Sequence, residues 1–366
     1  MAMYDTYSTA MADWNVTNMA ASVAKKQSAA DDGVLKAIVI GNSASVDATA
    51  LLAGIFKTEA PDQEFVLGCM YESGCSVKGH VGFLQTDAAA YTYYKNTGSD
   101  ENGAWTLLKN STLADGLTDQ NWDVVIFQEL HTVSGLMSTF ENDNLETLIT
   151  YVINTVGYEP QLDWHSVGII PEIPAAYADY VNSLEGDDGG GTDAGENEGW
   201  EDSGVEEPED LAWIFDIARP GYPVTWAKNY IKNFNNNAQT MYDAICDVAV
   251  NHIIPSELYS FDDVIPGGSV IQYARNMGMT DKDLFRDYAH KSDYGRVLIG
   301  YVWYASLMDI TEFEELKYTT VPTAMRHSKS PREDLVLTQE QYDMALAAVN
   351  YALKNPFDSP EPVAAQ

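Results

Sequence analysis

Residues Leu35–Ser43 read LKAIVIGNS, a nearly continuous apolar run that ends in a Gly-Asn-Ser turn. Such a run is typical of a central parallel strand that is covered on both faces. The segment that follows, Asp47–Phe56, reads DATALLAGIF and is predicted to form a helix. The first structured region of the chain is therefore a strand–turn–helix unit.

The alternation of strands and helices recurs along the chain. Strands are predicted at Glu64–Met70, Trp122–Phe127, Leu162–Ile170 and Phe261–Ile265, and helices at Asn144–Val156, Thr225–Ala249, Tyr294–Met308 and Thr338–Leu353. The last helix opens with a capping-box pattern at Thr338 and Gln341. This order predicts the α/β class, with a parallel sheet between two layers of helices.

The domain organisation follows from composition. We predict an N-terminal arm at 1–33, one domain at 34–355 and a C-terminal tail at 356–366. Within the domain, residues 185–210 are dominated by Gly, Asp and Glu and cannot bury apolar area, which indicates a mobile acidic insertion. Calcium binding there is the alternative, but the EF-hand spacing is missing, so a solvated insertion is favoured.

The charge and the cysteines limit the function classes. The formal net charge is −35, which argues against a nucleic acid or an anionic membrane as partner and favours a neutral or cationic substrate. Three cysteines do not make a disulfide framework, although Cys69 and Cys75 are close enough to pair. No Cys/His cluster has zinc spacing, and no apolar run reaches the roughly 18 residues of a membrane span. We expect no metal and no cofactor.

A nucleophile candidate lies in the first turn. A Ser between a strand and a helix exposes its hydroxyl at the carboxyl edge of the sheet, beside the free N–H groups of the helix N-terminus. Ser43 has this position. On this fragment alone, capping of the helix by Ser43 or Ser45 is the simpler interpretation.

A base and its partner occur late in the chain, as Asp287-Tyr288-Ala289-His290. A serine nucleophile needs a base, and histidine is the usual one near neutral pH. The histidine in turn needs an acceptor that fixes its tautomer, and an Asp three residues earlier can provide it. A surface Asp and His near a helix start is the alternative.

Two polar loops follow the second and third strands and are expected at the same sheet edge. Gly74 lies in the first and Gln128 begins the second. A backbone N–H from a glycine loop and a side-chain amide are donors that oxyanion holes use. The alternatives are a plain turn glycine and a glutamine that ties loops together.

Taken jointly, this order of motifs resembles the SGNH, or GDSL-type, hydrolases, and more closely a family of uncharacterised bacterial SGNH-like proteins. The resemblance covers roughly Leu35–Asp309. It implies a three-layer α/β/α domain with a flavodoxin-like parallel sheet. Asn42 replaces the Asp of Gly-Asp-Ser, and Gln128 replaces an Asn. The matching stretches are Ile40–Ser43, Ser73–Ser76, Trp122–Val125 with Gln128, Val264–Gly267 with Gln272 and Arg275, and Arg286–Asp287 with His290, Gly295 and Arg296.

The resemblance implies a serine esterase with a Ser43, His290 and Asp287 triad. The oxyanion hole would comprise the N–H of Ser43, Gly74 and Gln128. His80 and His131 follow the second and third strands and are candidate structural or substrate contacts.

The substrate and the location are expected from weaker signals. The expected substrate is an O-acetyl or other short acyl ester on a carbohydrate. A catalytically silent carbohydrate-binding surface protein, and a lipase or arylesterase of the same fold, remain open. The acidic, Tyr-rich composition is typical of secreted bacterial proteins, so we expect secretion or cell-surface display after removal of a signal peptide.

Overall fold

The computed structural model describes residues 32–86, 88–98, 105–173, 175–183, 224–256, 259–326, 330–331 and 333–358. The predicted acidic insertion at 185–210, nearly all of the arm and most of the tail lie outside the described residues. The described part forms a seven-stranded sheet of order β4-β3-β2-β1-β5-β6-β7 and a small two-stranded sheet of β8 and β9.

The strands are β1 (Val34–Gly41), β2 (Glu64–Tyr71), β3 (Tyr91–Asn96), β4 (Thr106–Ser111), β5 (Val124–Phe127), β6 (Gln161–His165), β7 (Asp263–Ile265), β8 (Thr320–Val321) and β9 (Leu335–Val336). The helices up to β6 are α1 (Ser43–Thr49), α2 (Leu52–Glu59), α3 (Val77–Thr86), α4 (Leu113–Leu117), α5 (His131–Ser134) and α6 (Asn144–Val156). Those after β6 are α7 (Ala175–Ser183), α8 (Val224–Phe234), α9 (Ala238–Val248), α10 (Gly267–Asn276), α11 (Asp281–Leu284), α12 (Asp293–Leu307) and α13 (Gln339–Lys354).

Strands β2, β1, β5, β6 and β7 pair in parallel, which confirms the predicted fold class. The alternation of side chains on β1 explains the three layers. Ala37 and Val39 pack into one apolar core with α1, α2 and α12, whereas Ile38 and Ile40 pack into a second core with α3, α4 and α6. Since both faces of β1 are buried, its sequence is apolar without alternation.

Helix α12 is the centre of the first core. Every residue from Asp293 to Leu307 is buried, and the helix contacts α1, α2, α10 and α13. A helix that is apolar nearly all round belongs in the interior. Since α12 packs on α1, it fixes the position of the helix that begins at Ser43.

Some expected boundaries were wrong. The helix expected at Thr225–Ala249 is two helices, because Asn235 and Asn236 take left-handed φ values of 53° and 50° and break the chain between α8 and α9. The strand expected at Leu162–Ile170 ends at His165. The antiparallel strands β3 and β4 were not predicted.

Other expectations are met. The capping box at Thr338 opens α13. Cys69, Cys75 and Cys246 are buried free thiols, so the open question of a Cys69–Cys75 disulfide is answered in the negative. Among the described residues, none of the helices has the length and apolar character needed to cross a membrane.

Candidate active site

The turn between β1 and α1 is held by the side chain of Asn42. Its Oδ1 caps α1 by accepting the Ala44 N–H at 3.0 Å, and its Nδ2 donates to the Cys75 carbonyl at 2.9 Å. Ser43 is therefore the first residue of the helix, and it is half-buried at the carboxyl edge of the sheet. The capping role that the sequence also allowed for a serine belongs to Asn42.

The neighbouring serine has a different environment. Ser45 is fully buried, and its Oγ has no hydrogen-bond partner among the described residues. A Cβ placed on Gly41 would lie 2.2 Å from this Oγ, so the turn accepts only glycine there. Of the two serines in the turn, only Ser43 has surface that a substrate can reach.

The predicted acid–base pair, Asp287 and His290, lies within one short loop. The Nδ1 of His290 lies 2.9 Å from each carboxylate oxygen of Asp287, and the backbone N–H groups of Ala289 and His290 donate to Asp287 Oδ1 at 2.9 and 2.8 Å. Burial would raise the pKa of Asp287, but the hydrogen bond and charge of His290 and the two N–H groups hold it at about 2. An ionised Asp287 accepts the Nδ1 proton, which leaves Nε2 free to act as a base.

Asp47 joins this loop to the helix of Ser43. Its Oδ1 accepts from Arg286 at 2.9 Å and from Arg296 at 2.8 Å, and its Oδ2 accepts the backbone N–H of Lys291 at 2.8 Å. Burial would raise the pKa of Asp47, but the two arginine charges hold it well below its ordinary value. Asp47 follows Ser43 by one helical turn, so these contacts bring the loop of His290 beside the Ser43 helix.

The loop that carries His290 is closed by backbone contacts between its two ends, and it includes the buried Lys291. Phe285 and Lys291 form an isolated antiparallel bridge, and the Arg286 N–H donates to the His290 carbonyl at 3.0 Å. Lys291 Nζ donates to the Ile169 carbonyl at 2.8 Å and lies 4.2 Å from the centre of the Phe285 ring. Burial lowers the pKa of Lys291 to about 7. The backbone that carries His290 is thus held from both ends.

Asp47→Asn tests whether Asp47 positions the loop of His290 in addition to stabilising the fold. The change leaves the buried Arg296 and the partly buried Arg286 without their shared carboxylate, so we expect the free energy of unfolding to fall by about 3–5 kcal/mol. We also expect kcat to fall about tenfold at a temperature where the variant is folded, because small displacements of a catalytic group are costly. Denaturant unfolding and ester hydrolysis measure the two effects.

Asp293→Asn is the matched control, since Asp293 contacts the same Arg296 and also Arg326 but not the Lys291 backbone. It should lose stability and keep kcat. An equal loss of kcat in both variants would contradict the positioning role of Asp47.

The glycine loop lies at the end of β1, where the sequence predicts an oxyanion donor. Gly74 is exposed and adopts a left-handed φ of 60°, and the Glu72 N–H donates to the Gly41 carbonyl at 3.1 Å, so the loop is fixed to the end of β1. Within the part of the chain that the structure describes, the backbone N–H groups of Ser43 and Gly74 donate no hydrogen bond. Two free donors at one sheet edge can hold an oxyanion.

Gln128 lies behind this edge. It is 1% exposed, its Nε2 donates to Asn42 Oδ1 at 2.8 Å, and its Oε1 lies 3.1 Å from His165 Nδ1. Both ends of the amide are therefore engaged, and Asn42 connects it to the carbonyl of Cys75 in the Gly74 loop. This arrangement favours the sequence alternative, a side chain that ties loops together, over a direct oxyanion donor.

Gln128→Ala should therefore affect stability more than turnover. Removing a buried hydrogen-bonding amide leaves Asn42 and His165 short of a partner, and we expect the variant to lose about 1–3 kcal/mol of unfolding free energy. We expect kcat to fall less than about tenfold. A loss of about 10²–10³ in kcat with an unchanged melting temperature would instead identify Gln128 as an oxyanion donor.

The two other histidines singled out by the sequence are interior residues. His80 is 0% exposed and its Nδ1 lies 2.9 Å from the Tyr91 hydroxyl, while His131 is 2% exposed at the start of α5. Burial lowers the pKa of each to about 3, so both are neutral. Of the structural and substrate-contact roles that the sequence allowed, the observed positions favour the structural one.

Glu129 was not singled out, although it follows Gln128 directly. It is fully buried, and its Oε1 accepts the N–H of Val77 at 3.1 Å and that of Leu130 at 2.6 Å. Burial raises the pKa of Glu129 to about 7. The contact with Val77 connects the end of β5 to the helix that follows the Gly74 loop.

Among the described residues, no group of three or more His, Cys, Asp or Glu is placed to hold a metal.

Comparisons with known proteins identify a family model and solved structures that are similar to this chain. Residues 36–161 match a family model described as Domain of unknown function (DUF4886). The crystal structure of a DUF4886 family protein from Bacteroides uniformis is 22% identical with a TM-score of 0.60, over 90% of this chain and 98% of that chain. A protein from Slackia heliotrinireducens, provisionally described as an SGNH hydrolase, is 13% identical with a TM-score of 0.37, over 75% and 99% of the two chains. No curated protein matches the chain.

The predicted resemblance to a family of uncharacterised bacterial proteins is thus confirmed. Residues 36–161 of this chain are similar to the DUF4886 family, and the chain shares its fold with a DUF4886 protein.

Proposed function

We propose that the protein is a serine ester hydrolase that uses Ser43, His290 and Asp287. The observation that supports this best is the Asp287–His290 pair on a loop that Asp47 holds against the Ser43 helix. A serine nucleophile, a histidine base and a carboxylate that orients the histidine are the parts of a nucleophilic triad. Ser43 is half-buried and His290 is 25% exposed, so both are accessible to a substrate.

The proposed reaction has two stages. His290 Nε2 takes the proton of Ser43 as its Oγ attacks the acyl carbonyl, and the N–H groups of Ser43 and Gly74 stabilise the oxyanion. His290 then gives the proton to the leaving alcohol, and an acyl ester of Ser43 remains. Water, deprotonated by His290, attacks this ester and releases the acid and the free serine. The ionised Asp287 stabilises the imidazolium that forms in each stage.

The substrate proposed from the sequence is a short acyl ester on a carbohydrate. A neutral ester is compatible with the net charge of −35, which disfavours anionic substrates near the surface. The location proposed from the sequence is the cell exterior.

A panel of p-nitrophenyl esters of increasing acyl length, assayed beside acetylated glycans, tests the proposed function. Hydrolysis of at least one ester by the wild-type chain, at a rate far above that of buffer, is expected. Binding of a glycan without release of acid from any ester would favour the catalytically silent alternative.

A further inference from the structure

A cavity of about 220 Å³ opens beside the helix of Ser43. Val46, Thr49 and Ala50 form one wall, the aromatic rings of Tyr94 and Trp105 form another, and Ala324 lies at its border. The lining is mainly apolar. No residue of the acid–base loop lines it, and the site described above does not use it.

The geometry of α1 relates this cavity to the nucleophile. Successive residues of an α-helix turn by about 100°, and Ala50 still has helical backbone angles. Relative to Ser43, Val46 and Ala50 therefore lie about 60° and about 20° to one side, and Asp47 lies about 40° to the other. Asp47 holds the loop of His290. Viewed down the axis of α1, the cavity and the Asp47 that holds the histidine loop therefore lie on opposite sides of Ser43, and Val46, the nearest cavity residue, is about 4.5 Å further along the axis.

The chemistry of ester cleavage determines which part of the ester lies on each side of Ser43. His290 must deliver a proton to the alcohol oxygen, so the alcohol leaves on the histidine side. The acyl chain is attached to the other side of the same carbonyl carbon. It therefore extends toward the cavity, and it stays there in the acyl-enzyme after the alcohol has gone.

We propose that this cavity receives the acyl group of the ester that Ser43 cleaves, and that this group is an apolar chain of about six to eight carbons or one ring, in place of the acetyl group expected from the sequence. The proposal rests on the proposed function. An engineered cavity of roughly 150 Å³ in another protein holds benzene, so about 220 Å³ is more than an acetyl group fills.

The ratio of kcat/KM for p-nitrophenyl hexanoate to that for p-nitrophenyl acetate tests this assignment. We expect the wild-type ratio to exceed about ten, because each apolar contact in a fitted pocket favours the longer chain. Ala324→Trp fills the cavity from an exposed position and should lower the ratio at least about tenfold. Trp105→Ala widens the cavity and should shift the preferred acyl chain beyond hexanoate.

Leu108→Trp is the matched control. Leu108 is 58% exposed and pairs with Tyr93, so it lies on the opposite face of the β3–β4 hairpin from Tyr94. Leu108→Trp should therefore leave the ratio of kcat/KM for the hexanoate to that for the acetate unchanged. A wild-type preference for acetate, or an unchanged ratio in Ala324→Trp and Trp105→Ala, would overturn the proposal that the cavity receives the acyl group. Turnover that depends on Ser43 would still support the proposed ester hydrolase in that case. Absence of turnover on every ester of the acyl series and on the acetylated glycans would overturn both proposals.

Discussion

Replacement of Ser43 by alanine should abolish ester hydrolysis and leave the fold intact. The hydroxyl is the attacking group in the proposed reaction, and removal of the nucleophile from a well-studied serine protease costs about 10⁶ in kcat. Ser43 is half-buried at the first position of α1, and Asn42 rather than Ser43 caps the helix. We therefore expect the melting temperature to change little. Assays of kcat on the preferred ester and thermal unfolding measure the two quantities.

Ser45→Ala is the matched control, because it removes a hydroxyl two residues away from a buried position. Its kcat should stay near that of the wild type. The reverse result, with activity lost in Ser45→Ala and kept in Ser43→Ala, would show that the motif has been aligned two residues out of place.

Asp287→Asn should lower kcat by about 10⁴, the loss seen when the triad carboxylate of a serine protease is replaced by an amide. Asn can still accept the N–H groups of Ala289 and His290 through its oxygen, so the loop keeps its shape. Its NH₂ group then faces His290 Nδ1 and donates to it. The imidazole must carry its proton on Nε2, where it cannot take the proton of Ser43.

The control is Asp62→Asn, the same chemical change at an exposed position. Asp62→Asn should keep the kcat of the wild type. The melting temperature of Asp287→Asn should stay within a few degrees of the wild-type value. A decrease in kcat of less than about tenfold in Asp287→Asn would show that Asp287 does not orient the base.

The parallel part of the fold could be predicted from the sequence because its strands are buried on both faces. Leu35–Ile40 and Val124–Phe127 are apolar at every position but Lys36, which is a pattern that only a covered sheet accommodates. Strand β4 has no such pattern. Five of its six residues are exposed, and it is held by pairing with β3, so the composition of Thr106–Ser111 carries no signal of a strand.

The residues of the candidate site likewise divide into those that could be predicted from the sequence and those that could not. Ser43 and the Asp287–His290 pair could be predicted because each lies in a short motif. Asp47 could not, because its partners Arg286 and Arg296 are 239 and 249 residues away in the chain. The sequence predicted only that a helix starts at Asp47. The helix begins at Ser43 instead, which places Asp47 inside it.

The role of Gln128 required the structure for another reason. Its place after β5 indicates that it lies at the carboxyl edge, but the sequence does not show which way the amide faces. The contacts with Asn42 and His165 show that it is turned into the protein. The cavity beside α1 was likewise not predictable, since its walls come from α1, the β3–β4 hairpin and the turn at Thr323–Met325.

The most direct test of the central claim is covalent labelling of the nucleophile. The wild-type protein is treated with a fluorophosphonate, which reacts with activated serines, and the modified peptide is identified by mass spectrometry. The proposed triad predicts a single adduct on Ser43 that is absent from Ser43→Ala and forms far more slowly in Asp287→Asn. An adduct on another serine, or no adduct on a folded wild-type protein, would contradict the assignment of Ser43 as the nucleophile.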